Sequence, residues 1–182
     1  MRGARATPYA IPGPEGGNLR SNPTDREVIA IAAERHDQPE IEALLASSDA
    51  YMAALYPAES NHLLDVASLM RPDVTFIVAR VDGRAMGCGA VVDSGEGWAE
   101  IKRMFVAPAA RGRRLGRRLL QELEAIAAER GATRLRLETG GKQPEALALY
   151  AAAGFVEIGP FGKYGPDPLS IFMEKPITAR GA

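Results

Sequence analysis

The sequence predicts one domain of the α/β class, α+β in type, built on a single mixed, mostly antiparallel β-sheet flanked by helices. Three observations predict this. Residues 74–106 carry three apolar, β-branched runs separated by short turn signals, the pattern of an antiparallel meander. A helical stripe then lies between two strand-like runs, 98–106 and 133–138, and a strand–helix–strand crossover needs parallel strands. The 182 residues are enough for one sizeable core and show no internal repeat.

The elements follow in order. Residues 1–25 hold PYAIPGPEGG, rich in Pro and Gly and without period, and are expected to be a flexible extension. The domain is expected to run from 26 to 178. VIAIAAE (28–34) is a first strand. Pro39 can open a helix, and Ile41, Leu44, Leu45, Tyr51, Met52 and Leu55 follow near helical spacing until Pro57. SNHLLDVASLM (60–70) reads as a second, shorter helix with Ser60 as its N-cap. VTFIVARV (74–81) is a strand, Asp82-Gly83 a hairpin turn, and AMGCGAVVD (85–93) the returning strand, apolar enough for burial on both faces. WAEIKRMFV (98–106) completes the meander. From Gly112 to Arg130, Leu115, Leu119, Leu123 and Ile126 form one helical stripe, ended by Gly131. TRLRLE (133–138) alternates as a strand. EALALYAAAG (145–154) is a short helix, FVEIG another strand, and LSIFMEK (169–175) closes the sheet.

Lys and Arg number 22 and Asp and Glu 23, a formal net charge of -1, which gives no argument for nucleic acid or membrane as a partner. No apolar run approaches the roughly 20 residues of a membrane-spanning helix. The one cysteine, Cys88, excludes an intrachain disulfide and fits a reducing cytoplasm; in GCGAVV it reads as a small buried hydrophobe. His36 and His62 have no metal-like spacing around them, so no metal site is expected.

Against this balance, residues 111–118 read RGRRLGRR, five arginines in eight. They fall at a helix N-terminus, where the first N–H groups lack internal partners and the dipole is positive. Arginine there opposes the dipole, and a bound phosphate or pyrophosphate would resolve the conflict. The alternative is a solvated arginine face held by pairs such as Arg118–Glu122. The P-loop pattern and GxGxxG are both absent, and aromatics are only 6%, too few for a stacking nucleic-acid surface. A diffusible phosphorylated cofactor remains.

EIKRMFVAPAARGRRLGRRLL resembles the core motif of the GNAT acetyltransferase superfamily, in which a strand leads into a loop [RQ]-x-x-G-x-[GA] that opens a helix. Arg111 takes the first position and Gly116 the last. Farther on, LRLE, then Q-x-x-A-x-x-L-Y and A-A-G-F, resemble the family's second segment, with Gln143, Ala146, Leu149, Tyr150, Gly154 and Phe155 in place. The resemblance covers roughly 27–175. It departs at Arg114, where the family has a glycine, and at Gln143, where it has asparagine.

The resemblance implies the acyl-CoA N-acyltransferase fold, acetyl-CoA as cosubstrate, and direct attack of an amine in a ternary complex. It implies that backbone groups from Gly112 to Arg117, Leu115 and Gly116 included, hold the pyrophosphate. Arg113, Arg114 and Arg117 add side-chain contacts, and Met104, Phe105, Val106, Arg111 and Gln143 complete the cofactor site. Glu100 is the implied base and the Met104 N–H the implied oxyanion donor. Tyr150 is the implied acid for the leaving thiolate. Each has a plainer reading: Glu100 as a half-exposed strand glutamate, Tyr150 as a core aromatic. Ser60, Glu138 and Tyr164 are expected at the acceptor pocket, which suits a small polar amine. A peptide amine acceptor and a CoA-binding sensor without turnover stay open beside this reading. Many relatives dimerise, so a homodimer is open as well.

Overall fold

The computed structural model describes residues 27–60 and 62–179; the expected extension lies outside them. Seven strands and three α-helices are present among the described residues: β1 Ile29–Ala33, α1 Pro39–Leu55, β2 Val74–Val81, β3 Arg84–Asp93, β4 Trp98–Val106, α2 Leu115–Glu129, β5 Arg134–Gly140, α3 Pro144–Ala152, β6 Val156–Ile158 and β7 Ser170–Pro176. They form one sheet in the order β1-β2-β3-β4-β5-β7-β6. Every pairing is antiparallel except β4 with β5, which the α2 crossover joins in parallel. The Asp82-Gly83 hairpin turn has φ 48 and 82, both in the left-handed region a two-residue primed turn demands.

Helices cover both faces. On one, Ile41, Leu44 and Leu45 of α1 pack on Phe76, Val78, Cys88 and Phe105. On the other, Leu115, Leu119 and Leu123 of α2 meet Ile77, Val91, Ile101, Leu135 and Leu137. Leu119 and Leu123 are fully buried, and each such side chain contributes about 1.5–3 kcal/mol by leaving water. β3 is buried on both faces from Gly87 to Val91, as its apolar run requires. Cys88 is buried, its Sγ donates to the Arg103 carbonyl at 3.4 Å, and burial pushes the thiol up to about 12, so it packs rather than reacts.

Two expectations are corrected. The helix over 60–70 does not form; single 3₁₀ turns occupy Ala58–Ser60 and Ala67–Met70. The reason is tertiary. Lys102 Nζ donates to the His62 carbonyl at 3.0 Å and Arg103 Nε to the Leu64 carbonyl at 2.5 Å, taking acceptors a helix would use itself. Ser60 therefore ends a turn instead of capping a helix, and Asp65 caps the second turn by accepting the Ser68 N–H at 2.9 Å. The second correction is the start of α2. It begins at Leu115, not Gly112, because Gly112 (φ 78) and Arg114 (φ 59) are left-handed and cannot be helical.

The feature that positions the site lies at the centre of the sheet. β4 and β5 pair only from Trp98↔Arg134 to Ile101↔Leu137. Beyond that point β4 runs on to Val106 and β5 to Gly140 without pairing to each other. A β-bulge on β4 sets Arg103 and Met104 opposite Gly89, with Arg103 at φ 58. The strands splay, and the wedge between them opens between α1, α2 and α3.

Candidate active site

Two hollows share the wedge. A cleft of about 510 Å³ runs from Met104, Phe105 and Val106 on β4 to Arg111, Gly112, Arg114, Leu115, Gly116 and Arg117 at the start of α2. Gln143, Leu149 and Tyr150 from the α3 side close it. A tighter chamber of about 80 Å³ continues inward, lined by Tyr56, Ser60, His62, Lys102, Arg103, Glu138 and Thr139. Tyr51, Met104, Phe105, Gln143 and Tyr150 line both. Another hollow, of about 690 Å³ between α2 and α3, faces away from the wedge.

The cleft's outer end is rich in unused donors. The Arg111 N–H is taken by the Pro108 carbonyl at 3.3 Å, and the helical ladder begins with Arg118 N–H on the Arg114 carbonyl at 3.2 Å. Between them, the N–H groups of Gly112 through Arg117 meet no acceptor among the described residues. No side chain caps α2 and no acid stands in its first turn. The left-handed backbone at Gly112 and Arg114 curls these donors into a nest, a concavity that suits an anion.

The arginines divide. Arg111 stacks on Tyr51 at 5.5 Å from the ring centroid. Arg113 turns to an ion pair with Glu27 and does not line the cleft. The pairing of Arg118 with Glu122 does not form; Arg118 Nη2 donates to the Ile29 carbonyl at 3.4 Å. Arg114 and Arg117 line the cleft, exposed and without a side-chain partner among the described residues.

Tyr150 sits on α3 where the hollows meet, packed edge-on against Phe155 at 5.8 Å. Its hydroxyl has no hydrogen-bond partner among the described residues. Burial, with the charge of Glu138 added, pushes that hydroxyl well above the usual tyrosine range, so it keeps its proton at neutral pH. Gln143 is the N-cap residue of α3, and its Nε2 lies 2.9 Å from Met52 Sδ.

Glu100 lines neither hollow. It lies one side chain behind the chamber, where the Tyr164 hydroxyl donates to its Oε1 at 2.5 Å and Lys102 Nζ approaches at 3.1 Å. Lys102 also donates to Tyr164, so the three polar groups close a triangle. Tyr164 is gripped by Phe161, Phe172 and His62 at centroid distances of 5.1, 5.4 and 5.5 Å. Burial first, then the neighbouring Glu100, pushes the Tyr164 hydroxyl far up. Ser60 lines the chamber and hydrogen-bonds Asp167, and Glu138 accepts the Ser170 hydroxyl at 2.7 Å. Thus Ser60 and Glu138 reach the chamber, whereas Tyr164 lies behind it.

The model of the acetyltransferase (GNAT) family matches residues 34–155. The chain is a GNAT acetyltransferase. The family membership makes it an acyltransferase enzyme, and the fold agrees. An IAA acetyltransferase of Azospirillum brasilense is 51% identical over 150 residues, covering 82% of this chain and 98% of that one. A Klebsiella pneumoniae protein assigned to the acyl-CoA N-acyltransferases superposes with TM-score 0.73 at 41% identity, over 82% of this chain and 97% of its own. The PaiA N-acetyltransferase of Thermoplasma acidophilum, solved with coenzyme A, shares the fold at 20% identity and TM-score 0.64, over 82% of this chain and 99% of its own. No helix among the described residues of this GNAT protein is long and apolar enough to cross a membrane. None of its described His, Cys, Asp and Glu residues form a group of three that could hold a metal.

Sequence reasoning missed Lys102, Arg103 and Tyr56 as parts of the chamber wall. Strict strand alternation would put Lys102 and Arg103 on opposite faces; the bulge brings both to the chamber, and no residue in EIKRMFV announces a bulge. Tyr56 was legible only as the end of a helix. It packs against Gly140, so closely that a Cβ there would overlap its ring, and accepts the Lys142 N–H at 2.9 Å.

Proposed function

We propose that the protein transfers the acetyl group of acetyl-CoA to a primary amine of a small molecule, by direct attack while both are bound. The observation that carries this is the run of unused N–H donors, Gly112 to Arg117, opening onto a cleft that narrows to a chamber of about 80 Å³. The donors and the positive helix end fit a pyrophosphate; Arg114 and Arg117 stand beside them to add side-chain contacts. The chamber's size favours a compact amine over a peptide, which needs an open groove.

When bound, acetyl-CoA supplies a thioester carbonyl open to attack by an amine. The chain's own residues do the rest. Met104, Phe105 and Val106 give the splayed strand edge along which an apolar arm lies, and the Met104 N–H serves as a donor to developing negative charge. Tyr150, kept protonated by burial, donates toward the leaving sulfur. Glu100, beside Lys102 at 3.1 Å, takes the acceptor's proton by relay, since it does not line the chamber.

Calorimetry with acetyl-CoA and desulfo-CoA, followed by a screen of amines for free-thiol release, tests the reading. Absence of CoA binding would overturn it, and binding without thiol release from any amine class would favour the sensor. Tyr150→Phe should lower kcat about 100- to 10,000-fold with little change in acetyl-CoA affinity; equal loss of both would make Tyr150 structural. Glu100→Gln should flatten the acidic limb of the pH–rate profile, and an unchanged limb removes it as base.

A further inference from the structure

The two carboxylates of the acceptor side differ in one physical respect. Glu100 is compensated: Lys102 pairs with it and Tyr164 donates to it. Glu138 has one hydrogen bond, from the Ser170 hydroxyl, and no cationic partner among the described residues. Yet Glu138, not Glu100, lines the chamber, and it is the one acid among the lining residues.

The chamber's own cations are already committed. Arg103 pairs with Asp49 and gives its Nε to the Leu64 carbonyl. Lys102 is surrounded by the His62 carbonyl, Tyr164 and Glu100. His62 Nε2 lies 3.5 Å from Asp167. None is left to neutralise Glu138. Glu138 is half-buried, and a carboxylate partly withdrawn from water without a counter-charge gains from a cation that joins it. The walls around it are aromatic: Tyr51, Tyr56 and Tyr150 line the same chamber. Aromatic faces and a carboxylate together make the environment that favours an ammonium group. Burial first, with the Glu138 charge a further cause, weighs against ionisation of Tyr56 and Tyr150, which line the chamber with it.

We infer that Glu138 is the specificity-determining anchor of the acceptor site, selecting compact acceptors that enter as cations. The choice of an amine acceptor rests on the transferase reading; the anchoring itself does not need turnover. Glu138 draws the ammonium in, and Glu100 stays the proton sink behind the wall. The two roles predict different kinetic signatures.

The test uses the full chain with desulfo-CoA present and two probes, ethylammonium and its neutral counterpart ethanol, followed by ligand-observed NMR titration. Ethylammonium should bind saturably and ethanol much more weakly. Glu138→Gln can still accept the Ser170 hydroxyl, so its melting temperature should stay near wild type. It should weaken ethylammonium about 10- to 100-fold and leave ethanol unaffected. Ser170→Ala, which frees the carboxylate without removing its charge, should weaken it by less than about 5-fold. With an amine found by thiol release, Glu138→Gln should raise the amine KM while kcat, the KM for acetyl-CoA and the acidic limb of the pH profile hold. Equal affinity of Glu138→Gln for ethylammonium, or no saturable binding of that cation to wild type, overturns the anchor. Cation binding that depends on Glu138 without turnover would instead sink the transferase reading and keep the anchor. Turnover with an unchanged amine KM in Glu138→Gln would do the reverse.

Discussion

Arg114 shows how a single residue can carry the cost of a loop. Its φ of 59 is the left-handed conformation that a side chain disfavours by roughly 1–2 kcal/mol, and glycine adopts it freely. The sequence holds arginine there, beside the unused donors and without a side-chain partner among the described residues. Arg114→Gly is therefore expected to raise stability by up to about 1 kcal/mol, read from the urea midpoint. Acetyl-CoA binding should survive, weakened modestly by the lost guanidinium; its complete loss would show that the nest is built otherwise. Tyr150 teaches a related lesson. Its place in L-Y/G-F is legible in the sequence, but that its hydroxyl stands without a partner among the described residues, between two hollows, is a fact of packing.

Among elements, those set by local pattern were legible and those set by contact were not. The meander, α1 and the stripe of α2 follow from apolar spacing and from turn residues. The 60–70 stretch has helical spacing too, but Lys102 and Arg103 claim its carbonyls, and two side chains from 40 and 39 residues away outweigh a local preference. The junction of α1 with β5 belongs to the same class. Gly140 lets the hydroxyl end of the Tyr56 ring close on the end of β5. Gly140→Ala should destabilise the fold by about 1–3 kcal/mol in chemical denaturation, because the ring must move and the Lys142 N–H loses its acceptor. In a Tyr56→Ala background the added methyl should cost little; an additive penalty there would mean the strain lies elsewhere.

At the scale of the molecule, the edge strand β1 and helix α1 are tied to the sheet through Arg80. It grips Glu34 with Nε and Nη2, both at 2.8 Å, and also reaches Glu40 on α1. The Arg80 guanidinium holds the Glu34 carboxyl below its ordinary 4.5. A carboxyl with a depressed folded-state pKa adds stability that is present above about pH 4.5 and lost as pH falls through the folded value. Glu34→Gln is thus expected to cost about 1 kcal/mol at pH 7. The two unfolding free energies should converge as the solution is acidified below pH 4.5, and a constant gap would deny the ion pair its role.

Apart from the helix over 60–70, the sequence by itself determined the order of strands and helices, the parallel crossover, the loop at RGRRLGRR before α2 and the family to which the chain belongs. These rest on patterns that neighbouring residues impose on one another: period, turn chemistry and the dipole of a helix end. Only the tertiary structure decided where β4 and β5 part, that a bulge turns Lys102 and Arg103 to one chamber, and that Glu100 is compensated while Glu138 is not. Those outcomes depend on groups far apart in the chain meeting in a low-dielectric interior. There a charge is judged by what stands beside it in space, and its neighbours in sequence have no say.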